Sequence, residues 1–67
     1  MKARELKELI ERRPFRPFAV RSNNGARYTF REPRDVGAPR DYRLILHFGP
    51  SESVRMDTDR ITEITEQ

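Results

Sequence analysis

The chain has 67 residues, 34% hydrophobic and 37% charged, which is enough for one small domain over residues 1–67 and too little for a catalytic domain with a separate substrate domain. The absence of cysteine excludes a disulfide framework and a thiolate zinc site, so oligomerisation is the remaining way to stabilise a thin core. No apolar stretch approaches the roughly 18 residues of a membrane span, and the N-terminus has no signal-peptide core, so we expect a cytoplasmic protein.

Residues 2–12 are predicted to form an amphipathic helix. Four apolar side chains recur there at helical spacing, namely Ala3, Leu6, Leu9 and Ile10. Pro14 ends the pattern, because a proline pushes the residue before it out of the α region. A helix of about three turns is marginal in isolation, so its apolar stripe must cover the rest of the domain.

The segment Pro14–Phe18 reads Pro-Phe-Arg-Pro-Phe and is predicted to be extended, because two of its residues have a fixed φ. Its two phenylalanines are expected to anchor the helix to the body of the domain. A proline-rich ligand for a peptide-recognition domain is the alternative interpretation.

A β-hairpin is the clearest element of the sequence. Residues 18–22 and 26–31 alternate between apolar and polar side chains, and they flank Asn23-Asn24-Gly25, a tight-turn signal. The alternation predicts one face that carries the aromatic and aliphatic side chains Phe18, Val20, Tyr28 and Phe30. The arginines of the hairpin then point the other way.

A connecting loop is predicted for residues 32–41, which show no periodicity, and the central strand for residues 42–48. The expected core face of that strand carries Tyr42, Leu44, Leu46 and Phe48, and the opposite face carries Arg43, Ile45 and His47. Residues 53–57 are predicted to form the next strand with Val54 and Met56 inward, and residues 61–64 the last strand after a single turn.

This order of elements predicts a mainly β fold, in which an N-terminal α-helix is followed by a five-stranded antiparallel SH3-like or Sm-like small barrel over residues 18–64. Closing the barrel removes exposed strand edges, which so small a domain has little other means to cover. An open sheet backed by the helix is the alternative.

The order resembles the Sm-like fold, including the bacterial Hfq type, with an N-terminal helix, a first strand running into Asn24-Gly25, a long strand and a tight turn before the last strand. Hfq-type proteins carry a Tyr-Lys-His stretch before the final strand, where this chain has Met56-Asp57-Thr58-Asp59-Arg60. The resemblance therefore implies RNA binding by an oligomer without supplying the basic motif of the uridine pore. The segment Pro14–Phe18 is also similar to one shared by short, uncharacterised bacterial proteins.

The charge is divided unevenly along the chain. Residues 1–43 hold 12 basic and 6 acidic residues, whereas residues 44–67 hold 2 basic and 5 acidic ones, and arginine supplies twelve of the fourteen basic residues. A basic front and an acidic tail suit either a phosphate-binding face or head-to-tail docking between copies of the chain. Arginine richness is also typical of a G+C-rich genome.

Seven arginines form the candidate nucleic-acid-binding surface, because Arg makes bidentate contacts with phosphates and stacks on bases. They are Arg16, Arg21, Arg27, Arg31, Arg34, Arg40 and Arg43. Most aromatic side chains fall on the predicted core face, so base stacking on this surface requires that Tyr42 or Phe15 be exposed. Interleaved arginines are also common on strand faces that bind nothing.

No enzyme, cofactor or small-molecule substrate is indicated. His47 is the single histidine, and the sequence offers it no nucleophile or carboxylate cluster, so it is predicted to be an exposed or interfacial strand residue. Asp57, Asp59 and Glu63 are spaced like part of a calcium loop but lack its glycine and remaining ligands, so turn and capping roles are expected for them. No metal site is predicted.

Two functions remain. The first is a non-catalytic small-barrel interaction module that self-associates or docks on a protein partner, with the charge division setting the orientation. The second is a Sm-like, Hfq-type oligomer that binds single-stranded RNA through an arginine-rich face, and whose affinity falls steeply with salt. The first is preferred, because it needs only the thin core and the charge division.

Overall fold

The structure is a computed structural model that describes residues 2–67. Its elements are helix α1 (Lys2–Glu11) and strands β1 (Phe18–Ser22), β2 (Arg27–Phe30), β3 (Val36–Gly37), β4 (Leu44–Phe48), β5 (Ser53–Asp57) and β6 (Ile61–Glu66). Single 3-10 turns at Pro33–Asp35 and Thr58–Arg60 precede β3 and β6. The predicted helix over residues 2–12 is confirmed with its end at Glu11, and the turn before the last strand is confirmed as well.

The strands form two antiparallel sheets of three strands, and this corrects the prediction of a closed five-stranded barrel over residues 18–64. Sheet A has the order β2-β1-β6, and sheet B has the order β3-β4-β5. The predicted loop 32–41 contains the short strand β3, so a sixth strand is present. The 3-10 turn at Pro33–Asp35 separates β2 from β3, and the two residues of β3 pair only with β4, so no ladder joins sheet B to sheet A.

The predicted hairpin is confirmed, and the structure supplies its register. Phe18 lies opposite Phe30, and Val20 lies opposite Tyr28. Gly25 adopts φ +90°, a conformation that a glycine reaches without a steric cost from Cβ, and the turn positions the two strands accordingly.

The face of β4 that meets the core is the opposite of the predicted one. Ile45 is fully buried, whereas Leu44 and Leu46 are half-buried and Phe48 is 43% exposed. The register with β5 explains the burial, because Ile45 lies opposite the buried Met56 while Leu46 lies opposite an exposed arginine. The predicted alternation of side chains along β4 is therefore confirmed, and the prediction of which face meets the core is wrong.

Tyr42 lies in the turn before β4 and not within the strand. Its φ of 55° is left-handed, and its N–H donates to the carbonyl of Pro39 at 3.1 Å. The chain therefore enters β4 at Leu44 after a change of direction, and Tyr42 is buried without sharing the strand's alternation. The Thr58 hydroxyl donates to the Tyr42 carbonyl, which ties this turn to the one before β6.

The core lies between the two sheets, and α1 closes it through two buried leucines, Leu6 and Leu9. Its fully buried large side chains are Phe18, Phe30, Leu6, Ile45 and Val20. The rings of Phe18 and Phe30 stack with centroids 4.9 Å apart. Phe15 packs against this cluster, with its ring centroid 6.0 Å from that of Phe18.

Candidate interaction surfaces

The outer face of sheet A carries the hairpin arginines, and we call it the arginine face (Arg21, Arg27 and Arg31). Arg21 and Arg27 lie directly opposite each other, and both are exposed. Glu63 of β6 lies opposite Arg21 on the other side, with 3.5 Å between its carboxylate and the guanidinium Nε. This carboxylate offsets part of the repulsion between the two arginines. Arg31 follows directly after β2 and is also exposed.

The other predicted arginines lie on separate parts of the surface. Arg16 lines a groove beside the end of α1, whereas Arg40 and Arg43 each line a different groove that includes residues of that helix. Arg34 belongs to the 3-10 turn before β3 and pairs with Glu32 at 3.1 Å. The seven arginines therefore do not form one continuous stripe.

Ion pairing further reduces the charge that these arginines offer to a phosphate chain. The Arg43 guanidinium lies 3.8 Å from the Asp41 carboxylate, in addition to the pairs at Arg21 and Arg34. Within residues 2–67, Arg16, Arg27, Arg31 and Arg40 form no ion pair. Two of these four, Arg27 and Arg31, belong to the arginine face.

Base stacking beside the arginine face was predicted to require exposure of Tyr42 or Phe15, and Tyr42 is buried while Phe15 is half-buried against the core. Phe18 and Phe30 are fully buried, and Tyr42 is buried too. Its hydroxyl donates to the Glu11 carboxylate at 2.6 Å, and this hydrogen bond, with desolvation second, raises the pKa of Tyr42 above its ordinary value of 10.0. Tyr42 is thus a structural contact between the turn and α1.

His47 points toward the core side of sheet B, which corrects its predicted placement on the opposite face. Its Nε2 lies 3.1 Å from the carbonyl oxygen of Thr29, so the proton of a neutral ring belongs on Nε2. The ring packs edge-on against Phe30 with centroids 5.2 Å apart and lies 5.5 Å from the ring of Tyr28. His47 therefore links β4 to the edge of sheet A, which is a structural role.

In the described part of the chain, no group of three or more His, Asp or Glu side chains is arranged to hold a metal ion. Asp57, one of the acidic residues with calcium-loop spacing, instead lies 3.8 Å from the guanidinium of Arg60. Asp57 lies at the N-cap position of the turn Thr58–Arg60, but its side chain makes no capping hydrogen bond there.

The outer face of sheet B carries a row of apolar side chains that the sequence interpretation had assigned to the core. We call Leu44, Leu46 and Phe48 the apolar column. They alternate with the core-facing residues of β4 and are not part of the core cluster. Gly37 on β3 lies opposite Leu46, and a Cβ at Gly37 would lie 2.9 Å from Cε2 of Phe48. The Phe48 ring therefore rests against the backbone of Gly37.

The signal for the apolar column was present in the sequence. Four apolar residues of the segment 42–48 alternate with Arg43, Ile45 and His47, so one apolar residue, Ile45, stood on the face assigned to solvent. A strand with large apolar residues on both faces is typical of one that is covered on both sides. That pattern was the available indication of a contact surface.

Comparisons of the chain with protein-family models, curated proteins and solved structures find no match in any of the three. Among residues 2–67, no helix is both long enough and apolar enough to span a membrane. The arginine face and the apolar column are the two candidate functional surfaces of the domain.

Proposed function

We propose that the protein is a non-catalytic interaction module that self-associates or docks on a protein partner through the apolar column. The observation that carries this proposal is the exposure of Phe48, which is 43% accessible on a strand whose other face is buried in the core. Among the residues that the structure describes, it is the one exposed large hydrophobic side chain.

The apolar column has the features of a contact surface. Single exposed hydrophobic residues are normal on protein surfaces, but here Phe48 lies on the same strand face as the half-buried Leu44 and Leu46. Gly37 presents no side chain beside them, and the Phe48 ring rests against its backbone as part of the same surface. Each Å² of apolar surface removed from water stabilises a complex by roughly 25 cal/mol before the costs of association.

The order of the elements also supports a small interaction domain. The helix, the hairpin, the turn immediately before the last strand and the pairing of β6 with β1 follow the succession that resembles SH3-like and Sm-like domains. A domain of about 70 residues has a small core, so a partner that covers its open sheet edges stabilises it.

Sedimentation velocity of the wild type and of Phe48→Thr tests the proposal. Threonine keeps the β propensity of the position and removes the ring, so we expect weaker self-association, or loss of a protein captured by the wild type. Arg27→Thr is the matched control, because it introduces the same residue at an exposed position on the outer face of the other sheet. A wild type that stays monomeric at high micromolar concentration, and captures no protein in a Phe48-dependent way, would refute the proposal.

A second candidate is an RNA-binding oligomer that uses the arginine face. It is favoured by Arg27 and Arg31, which form no ion pair within residues 2–67. Titration into labelled single-stranded RNA at low and physiological salt tests it, because several neutralised phosphates make the affinity fall steeply with salt. Replacing both arginines by Ala should lower the affinity and flatten that slope. No binding at low salt would exclude this candidate.

A further inference from the structure

β5 is an edge strand of sheet B, since no strand within residues 2–67 pairs with it on the side away from β4. One backbone hydrogen bond lies at each end of the paired strands β4 and β5. The Gly49 N–H donates to the Glu52 carbonyl at 2.7 Å, and the Thr58 N–H donates to the Arg43 carbonyl at 2.8 Å. These bonds show which backbone groups of β5 point toward β4. In an antiparallel pair the backbone groups of every second residue point toward the partner strand. Between Glu52 and Thr58 these residues are Val54 and Met56.

The backbone groups of the intervening residues therefore point away from β4. These residues are Ser53, Arg55 and Asp57, whose side chains are exposed, and sheet B ends at β5. A groove runs beside this edge, bounded on its far side by Asn24 and Tyr28 of the hairpin. Unpaired strand edges of this kind are templates for pairing with another chain.

The charges along β5 are self-complementary, unlike those of the other long edge strands. β5 carries Arg55 and Asp57, one of each sign, two residues apart on the same outer face. Edge strand β2 carries only an arginine, and edge strand β6 carries only glutamates, so two copies of either strand have no opposite charges to pair. Edge strand β3 has two residues and offers little to pair.

We infer that two copies of this chain pair through antiparallel β5 strands about a two-fold axis at Met56. This inference goes beyond the proposed function, since it places the contact between two copies at the edge of sheet B and not on the apolar column. In this register Arg55 lies opposite Asp57 of the second copy, and the reciprocal pair repeats the contact. Each pair exchanges both of its backbone hydrogen bonds and brings opposite charges together on the outer face.

The neighbouring registers are less favourable. A two-fold axis at Arg55 places two like charges directly opposite each other, which destabilises the pairing. An axis at Val54 places Arg55 opposite Ser53, so no ion pair forms. The intramolecular alternative for Asp57 is weak, because its contact with Arg60 is 3.8 Å long and exposed to solvent.

Charge exchange at the edge tests the inference. We expect sedimentation equilibrium to show a monomer–dimer equilibrium that Arg55→Asp weakens at least roughly tenfold, because it replaces two attractive pairs by two repulsive ones. The double variant Arg55→Asp with Asp57→Arg restores the pairs in reversed order and should recover the wild-type dimer. Arg27→Asp is the control, since it makes the same change in charge on the other sheet.

Amide hydrogen exchange tests the register. The N–H groups of Arg55 and Asp57 should exchange more slowly as the concentration rises, whereas Ser53 lies beyond the paired segment and should not change. Slowing at Ser53 would contradict the axis at Met56.

The outcomes separate the inference from the proposed function. A dimer that survives Arg55→Asp but is lost in Phe48→Thr overturns pairing through β5 and retains the apolar column as the interface. An assembly larger than a dimer overturns the two-fold arrangement. A monomeric wild type overturns the inference, and the proposed function then stands only if a protein partner is captured in a Phe48-dependent way.

Discussion

The orientation of β4 can be tested by comparing two adjacent alanine substitutions, Ile45→Ala and Leu46→Ala. Ile45 is 0% exposed and lies opposite Met56 in the core, whereas Leu46 is half-buried on the outer face. Both changes remove apolar carbons of similar volume from the same strand. A difference between them therefore reports which face meets the core.

The expected costs differ clearly. Truncation of a fully buried Ile to Ala costs about 2–5 kcal/mol, because transfer and cavity contributions add. Truncation of the half-buried Leu46 should cost about 1 kcal/mol, from partial burial alone. A domain of 67 residues has a total stability of only about 3–10 kcal/mol, so Ile45→Ala removes a large part of it.

Urea unfolding followed by circular dichroism, at a concentration where the chain is monomeric, measures both costs. If Ile45→Ala does not fold, Ile45→Val serves in its place, with an expected loss of about 0.5–1.5 kcal/mol and an unchanged dependence on urea. A loss in Leu46→Ala that equals or exceeds the loss in Ile45→Ala would show that the assigned face is wrong.

Three further predictions follow from the turns. Thr58→Val leaves the Tyr42 carbonyl without its donor and should lower the free energy of unfolding by about 1–3 kcal/mol; Thr58→Ser, which keeps the hydroxyl, should retain more of it. The Glu11 hydrogen bond and burial raise the pKa of Tyr42 above 10.0, so the folded state retains that proton longer than the unfolded chain. Stability should therefore be intact below pH 10.0 and fall as the pH rises above it, and urea midpoints in Tyr42→Phe should fall less. Gly25→Ala should lower the free energy of unfolding by roughly 1–2 kcal/mol through the backbone conformation at φ +90° alone, since nothing lies within 4 Å of the place where a Cβ would lie. A D-alanine introduced there by synthesis should show no such loss in thermal unfolding.

Local elements were predictable from the sequence because their signals are local. The spacing of Leu6 and Leu9 places both on one helix face, and Asn24-Gly25 specifies a tight turn that aligns β1 with β2. The pairs Phe18–Phe30 and Val20–Tyr28 then follow from the period of two and the length of the turn.

The candidate surfaces were less predictable. Composition indicated an arginine-rich surface, and Arg21 and Arg27 do lie together on sheet A. Arg16 and Arg40 line separate grooves, because Arg16 follows the end of α1 whereas Arg40 belongs to the loop before β4. The apolar column was missed, since the hydrophobicity of Leu44, Leu46 and Phe48 favoured the core for that face.

The helix, the hairpin and the alternation of β4 and β5 could be predicted from the sequence, because each depends on residues close in the chain. Only the tertiary structure decided that Ile45, and not Leu46, meets the core. Alternation is symmetric between the two faces of a strand, so the choice depends on the turn at Tyr42 and on the register with Met56. The absence of a closed barrel also depended on the tertiary structure. A closed barrel requires hydrogen bonds between the strands on either side of the turn at Pro33–Asp35, and the two residues of β3 pair only with β4.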